Sequence, residues 1–160
     1  FPHVMPEVSV NIVMALPSGL TEADVAALPG RIVKIHGRAR HMLPAEFNVS
    51  RHMARMLLTA MQHSPDIRAA VNIKYDSKIR DILHDMGLSY IHILREEHKT
   101  NLEGDTVVSA FKAKLNTDST FYPYVVDEGS EGLEPITYIL GRNATEAAQN
   151  ALEIAKKYAA

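Results

Sequence analysis

Across residues 29–61 the apolar period changes, and that change limits the folds open to the chain. Ile32-Val33-Lys34-Ile35 alternates as a half-buried strand does, directly after the Pro29-Gly30 turn. Over residues 50–63 the spacing becomes helical, with Met53, Met56, Leu57, Ala60 and Met61 on one face. A methionine stripe of this kind reads as core packing rather than as a metal or cofactor box. The helix opens on Ser50-Arg51-His52. A helix start exposes unpaired N–H groups and a partial positive charge, so it stabilises anions. Ser, Arg and His on that turn therefore make a candidate phosphate or pyrophosphate site. Arg31 sits at a strand start, where its side chain can project beyond the sheet edge. By spacing alone, a surface ion pair for Arg31 and a solvated His52 are the commoner outcome.

The remaining segments give the same mixture. Residues 8–16 read as a buried strand with Asn11 as its central polar residue, bonded either to neighbouring backbone or to a substrate. Thr21 is expected to cap a short helix ended by Pro29-Gly30, with Asp24 in the capping-box position. Residues 38–42 continue residues 32–36 as a hairpin through Gly37. Residues 69–75 form a strand around Asn72, and Asp76 caps a helix stopped by Gly87. Strands are expected over 88–94, 122–126 and 136–140, a polar connection over 95–104, and helices over 105–115 and from Asn143 to about Tyr158. The whole is an α/β domain.

At 160 residues the chain suits a single core. A net charge of −2 argues against general nucleic-acid or membrane-surface binding, so any cationic site must be local. The absence of cysteine removes disulfides, thiolate catalysis and Cys-type zinc sites, and fits a cytoplasmic protein. No apolar run approaches the roughly 18 residues of a membrane span. The chain starts Phe1-Pro2-His3 inside what reads as structured sequence, and is expected to be one domain, 1–160, of a longer protein. A second cluster lies at Asp127-Glu128-Gly129-Ser130-Glu131-Gly132. Its glycines permit close ligand approach and its carboxylates, Asp127 and Glu128, could hold Mg²⁺, although a solvated acidic turn is the commoner form. HExxH, P-loop, GxGxxG and GxSxG patterns are all absent. The sequons at Asn48 and Asn143 fall at helix starts and read as caps.

Five ordered segments together resemble the ThiN family of archaeal thiamine-phosphate synthase domains. They are PEVSVNIVMALP (6–17), DVAALPGRIVKIHGRAR (24–40), EFNVSRHMARMLLTAM (46–61), VNIKYD (71–76), and VDEGSEGLEP (126–135) with the following ILGR (139–142). Such domains are commonly fused to a hydroxymethylpyrimidine phosphate kinase. The resemblance implies a three-layer, AraD-like α/β/α fold with a mixed, mostly antiparallel sheet. It implies that hydroxymethylpyrimidine diphosphate and hydroxyethylthiazole phosphate join to give thiamine phosphate and pyrophosphate. It makes Arg31 and His52 the catalytic pair. Ser50, Arg51 and Gly129 then serve the phosphates, with Asn11, Asn72 and Asp127 orienting the pyrimidine and Mg²⁺ assisting. The partners implied are small molecules, with no membrane and no nucleic acid bound by this domain; a homodimer stays open. The family also contains ligand-sensing domains of helix-turn-helix regulators, the alternative to an enzyme. A metal-dependent aldolase is set aside because closely spaced His ligands are missing. The chain departs from the family pattern at Asn48, where Gly is usual, at Tyr138, where a basic residue often follows the EP motif, and in having no Trp.

Overall fold

The computed structural model describes residues 1–94, 106–118 and 120–160. The strands are β1 (Ile12–Ala15), β2 (Val25–Ala27), β3 (Ile32–Ile35), β4 (Arg38–His41), β5 (Glu46–Phe47), β6 (Ala69–Lys74), β7 (Ile91–Ile93), β8 (Tyr124–Asp127) and β9 (Ile136–Gly141). The helices are α1 (His52–His63), α2 (Ser77–Asp85), α3 (Thr106–Thr117) and α4 (Ala144–Ala159). Seven strands form one sheet in the order β5-β2-β1-β6-β9-β8-β7. Every described pairing in it is antiparallel except β7 with β8. The β3–β4 hairpin stands apart from this sheet and touches it through a bridge from Ile32 to Val10.

Helices cover both faces. Met56, Leu57 and Ala60 of α1 and Phe111 of α3 pack with Val13, Val125 and Leu140 on one side. Ile79 and Leu83 of α2 and Ala151 and Ile154 of α4 pack with Val71, Ile73 and Ile139 on the other. This explains why β6 and β9 are buried almost throughout: a central strand covered on both faces has no solvent side to make polar. The result is an α/β fold in three layers. No helix among the described residues is long and apolar enough to cross a membrane.

Local chemistry sets the boundaries. His36 and Gly37 both take positive φ, the geometry that closes a tight two-residue hairpin between β3 and β4. Asn143 accepts the Glu146 N–H at 2.8 Å and so caps α4. Asp76 accepts the Ile79 N–H at 2.8 Å through one carboxylate oxygen and the Tyr158 hydroxyl at 2.7 Å through the other, tying α2 to the end of α4. Burial pushes the Asp76 carboxyl up, but the Ile79 N–H, the Tyr158 hydroxyl and Lys74 together hold it below its ordinary 3.8. A carboxylate whose folded value is depressed stabilises fully above its unfolded value, and that stability is lost as pH falls through the folded one. Asp76→Asn should therefore lower the melting temperature at neutral pH, and thermal melts down an acid series should show the gap to wild type closing. Asp76→Ala should cost about 1 kcal/mol through the lost cap alone.

Several expectations need correction. The helix expected from Thr21 is one 3-10 turn, Glu22–Asp24, and the next residues are strand β2. Too few residues separate Asp24 from Pro29 for a helix to repay its nucleation, while Val25 and Ala27 fill the core beside β1. The capping box expected at Thr21 is present: the Asp24 carboxylate turns back to the Leu20 and Thr21 N–H groups and closes the start of the turn. Ser9, at φ 70, breaks the strand expected over 8–16, so the ladder starts at Ile12. The α1 helix begins at His52 rather than Ser50. The polar connection expected over 95–104 lies outside the described residues, as does residue 105.

Candidate active site

A cleft of about 800 Å³ opens at one end of the sheet, on the face covered by α1. Its walls are the segment around Ser9, the turn carrying Gly30 and Arg31, the start of α1, and the approach to β9 at Glu134. Asn11, Arg31, Ser50, Arg51, His52 and Asn72 all line it. Residues far apart in sequence thus meet because β1, β6 and β9 are neighbours and α1 starts above them.

The start of α1 has no side-chain cap, with Arg51 at the cap position. Its first N–H groups face the demand that caps, water or a ligand meet. Among the described residues, the guanidinium groups of Arg31, Arg51 and Arg55 lie around it, against one lining carboxylate, Glu134. Arg55 is paired with Glu22 at 2.6 Å. The cleft is therefore a local cationic site in a chain of net charge −2.

Arg31 is held by an unusual backbone. Gly30 and Arg31 both take positive φ, 76° and 64°, and a non-glycine residue there stores strain of about 1–3 kcal/mol. The surroundings enforce it. Asn11 Oδ1 accepts the Leu28 N–H at 3.0 Å and Asn11 Nδ2 donates to the Leu28 carbonyl at 3.3 Å. That carbonyl also accepts the Arg31 N–H at 3.0 Å, closing the turn. Asn72 takes the Asn11 N–H at 2.8 Å and donates to the Ser9 carbonyl at 3.1 Å. Glu134 accepts the Glu7 and Val8 N–H groups, and the Val8 carbonyl accepts Arg31 Nη1 at 2.6 Å. The two asparagines thus brace the turn and wall that carry Arg31, with their amides spent in part on backbone. Asn11→Ala leaves the Leu28 N–H and carbonyl without these partners. It should cost about 1–3 kcal/mol in chemical denaturation and raise the KM for a phosphorylated ligand.

Asn48 lies at φ 63, a conformation that Asn tolerates better than other side chains. That is why Asn can stand where the resemblance has Gly. His52 Nε2 lies 2.7 Å from the Tyr138 hydroxyl. Sequence reasoning did not count Tyr138, Glu134 or Arg55 among the site residues. The available signal was the strand alternation, which turns Tyr138 to the same face as Ile136 and Leu140, toward α1.

Asp127, Glu128 and Gly129 do not line the cleft. Asp127 is fully buried at the end of β8; by alternation with Val125 it faces the α1 side, one strand beyond Tyr138, and its Oδ1 accepts the Gly129 N–H at 2.9 Å. Glu128 Oε1 sits 3.0 Å from His92 Nε2, close but outside hydrogen-bond alignment. Successive residues point to opposite faces, so the two carboxylates do not converge on one ion. Gly129 serves the backbone of its own turn, at φ 72. No group of three or more metal-capable side chains exists among the described residues.

Residues 1–153 match the model of a family described as thiamine-phosphate synthase ThiN. The chain is 35% identical over 161 aligned positions to the thiamine-phosphate synthase ThiN of Methanothermobacter thermautotrophicus, covering 99% of this chain and 85% of that protein. It is 34% identical to the bifunctional thiamine biosynthesis protein ThiDN of Methanocaldococcus jannaschii, covering 97% of this chain and 37% of that protein. Its structure matches the crystal structure of the C-terminal domain of a phosphomethylpyrimidine kinase with a TM-score of 0.85 and 29% identity, over 95% of this chain and 88% of that one.

Proposed function

The chain belongs to the thiamine-phosphate synthase ThiN family, and from that premise we propose that the cleft joins hydroxymethylpyrimidine diphosphate to hydroxyethylthiazole phosphate. The activity is that of a thiamine-phosphate synthase, a transferase of thiamine biosynthesis. The bond from the pyrimidine methylene to the diphosphate oxygen breaks, and the thiazole nitrogen forms the new C–N bond with its lone pair. Pyrophosphate leaves with the electron pair of the broken bond.

The observation that carries this reading is the gathering of Arg31, Ser50, Arg51 and His52 around an uncapped helix start. Negative charge grows on the departing oxygen, and fixed cations and N–H donors aimed at it lower the barrier without having to reorganise. Arg31 offers a planar fork to the diphosphate. His52 donates a hydrogen bond or a proton to the leaving group. The nucleophile already carries its lone pair, so the attack needs positioning more than a base. Asn11 and Asn72 are assigned to shaping the wall, with their remaining donor and acceptor capacity turned to the pyrimidine.

Magnesium enters this proposal as a companion of the diphosphate, since the described residues build no converging carboxylate site of their own. The reading includes an AraD-like layering, small molecules as the ligands, a cytoplasmic setting and no nucleic acid bound by this domain. The deciding experiment supplies both substrates with Mg²⁺ and follows thiamine phosphate and pyrophosphate together. Stoichiometric appearance of the two supports the synthase. Tight binding of thiamine phosphate with no turnover would instead make the domain a ligand sensor.

A further inference from the structure

Two phosphorylated substrates meet in the reaction above, yet Arg31 and the start of α1 account only for the diphosphate. The phosphate of the thiazole hangs from a two-carbon arm and needs a cation of its own. Arg55 is the lining cation without a task. It follows Arg51 by four residues and His52 by three, so the three side chains are neighbours on the surface of α1. Its Cα lies about 4.5 Å further along the helix axis than that of His52. Arg55 lines the cleft and also a second, shallower groove of about 530 Å³, walled in part by Thr21, Asn48 and Gln62. Among the described residues it alone lines both.

The way Arg55 is held leaves its recognition edge open. Its Nε donates to Glu22 Oε1 at 2.6 Å, with the two side chains 37% and 31% exposed. Glu22 belongs to the 3-10 turn Glu22–Asp24, whose start the Thr21–Asp24 capping box closes, so this carboxylate has a fixed base. Among the described residues no bond is made by Nη1 or Nη2. A guanidinium gripped at Nε keeps its far edge, the fork of Nη1 and Nη2 that matches two phosphate oxygens. A lysine at the same place would bring the charge without the fork.

We infer that Arg55 is a specificity-determining residue for the thiazole substrate: its terminal fork, oriented by Glu22, binds the monophosphate, while Arg31 and the helix start hold the diphosphate. This rests on the synthase reading of the cleft. The monophosphate keeps its charge throughout the reaction, so a group that binds it stabilises ground state and transition state alike and acts on KM rather than kcat. The test compares wild type with Arg55→Gln, Arg55→Lys and Glu22→Ala, using both substrates and Mg²⁺, with thermal melts to confirm folding. Arg55→Gln is expected to raise the KM for hydroxyethylthiazole phosphate about 10–100-fold, the worth of hydrogen bonds to a charged group, with kcat and the KM for the pyrimidine diphosphate within about twofold of wild type. Arg55→Lys should recover part of the loss, and Glu22→Ala should raise the same KM by a smaller factor. An ion pair that only joined the 3-10 turn to α1 would move the melts and leave this split between substrates unmoved. An equal rise for both substrates, or a rise confined to the pyrimidine diphosphate, would overturn the inference. A calorimetric titration beside it compares thiamine phosphate with thiamine. Wild type should prefer the phosphorylated form, and Arg55→Gln should erase about tenfold or more of that preference. If wild type makes no thiamine phosphate but Arg55→Gln erases the preference, the synthase reading fails and the role of Arg55 stands. If wild type shows no preference, or Arg55→Gln keeps it, the role of Arg55 fails whatever the turnover.

Discussion

Arg31→Gly is expected to lower kcat/KM for thiamine phosphate formation by about 10²–10³-fold while leaving the fold about as stable as wild type. The two halves of that expectation come from different parts of the residue. The guanidinium is one of the fixed cations around the leaving diphosphate, and removal of a preorganised donor of this kind costs rate in the transition state. The backbone of Arg31 sits at φ 64, where an L-residue is strained by about 1–2 kcal/mol and glycine is not. Relief of that strain offsets the lost bond to the Val8 carbonyl and the extra freedom glycine gives the unfolded chain, about 0.5–1 kcal/mol. Arg31→Ala removes the same cation but keeps the strain, so it should be equally inactive and less stable than Arg31→Gly. Steady-state kinetics beside thermal melts of both variants make the comparison. Retention of more than a tenth of wild-type kcat/KM by Arg31→Gly would remove Arg31 from the catalytic pair. His52→Ala belongs to the same experiment and should lose a similar factor, since among the described residues it deletes the only imidazole lining the cleft.

The largest stability effect should come from Gly129→Ala. A Cβ at this position would lie 2.3 Å from the Leu133 carbonyl oxygen, 3.0 Å from the Pro135 nitrogen and 3.1 Å from the Glu134 carbonyl carbon. All three are backbone atoms, so no side chain can swing aside. The turn is closed on itself by reciprocal bonds between Ser130 and Leu133 and cannot open without losing them. Left-handed strain and steric overpacking together should cost about 2–5 kcal/mol in urea denaturation. Gly132 supplies the control: its φ is 76°, yet a Cβ there meets nothing within 4 Å. Gly132→Ala should pay the conformational strain alone, about 1–2 kcal/mol. The difference reaches the cleft as well. Glu134 follows this turn and holds the Glu7 and Val8 N–H groups, so a displaced turn loosens the wall to which Arg31 is bonded. Gly129→Ala should therefore raise KM even at temperatures where the protein stays folded. A melting curve for Gly129→Ala that overlays that of Gly132→Ala would show that the turn yields more easily than its contacts imply.

Gly129 also marks where the sequence was legible and where it was not. Two glycines in an acidic turn look the same whether they admit a ligand or their own backbone, and only the closeness of the Leu133 carbonyl separates the two. Asp127 and Glu128 likewise look like a pair on paper, because adjacency in sequence hides the fact that neighbouring strand residues face opposite ways. Caps were readable because they are local: Asp76 and Asn143 meet N–H groups three residues on. The strand β2 was not, because Val25-Ala26-Ala27 has no strong preference of its own and becomes strand only by pairing with β1 on one side and β5 on the other. The anion site was visible as residue types at a helix start, yet its assembly depends on distant partners. Asn11 and Asn72 could be named as the polar members of apolar strands, but their bonding to Leu28 and Ser9 follows from the sheet order. Tyr138 stood out only as a departure from the family pattern, because a tyrosine in a buried strand normally signals packing, and its contact with His52 depends on α1 lying above the strand.

The sheet order has a further consequence, for the timing of folding. The central ladder pairs β6 with β9, while the cleft gathers side chains from Val8 through Tyr138. A chain emerging from the ribosome presents Arg31 and His52 well before β9 exists. Until that strand inserts beside β6, His52 lacks Tyr138, and the Val8 backbone lacks Glu134. The anion-binding end cannot mature as an early, independent unit. Ligand capture by a nascent chain would mark the docking of β9, and the free phosphorylated ligand would favour completion of folding by binding only the finished form.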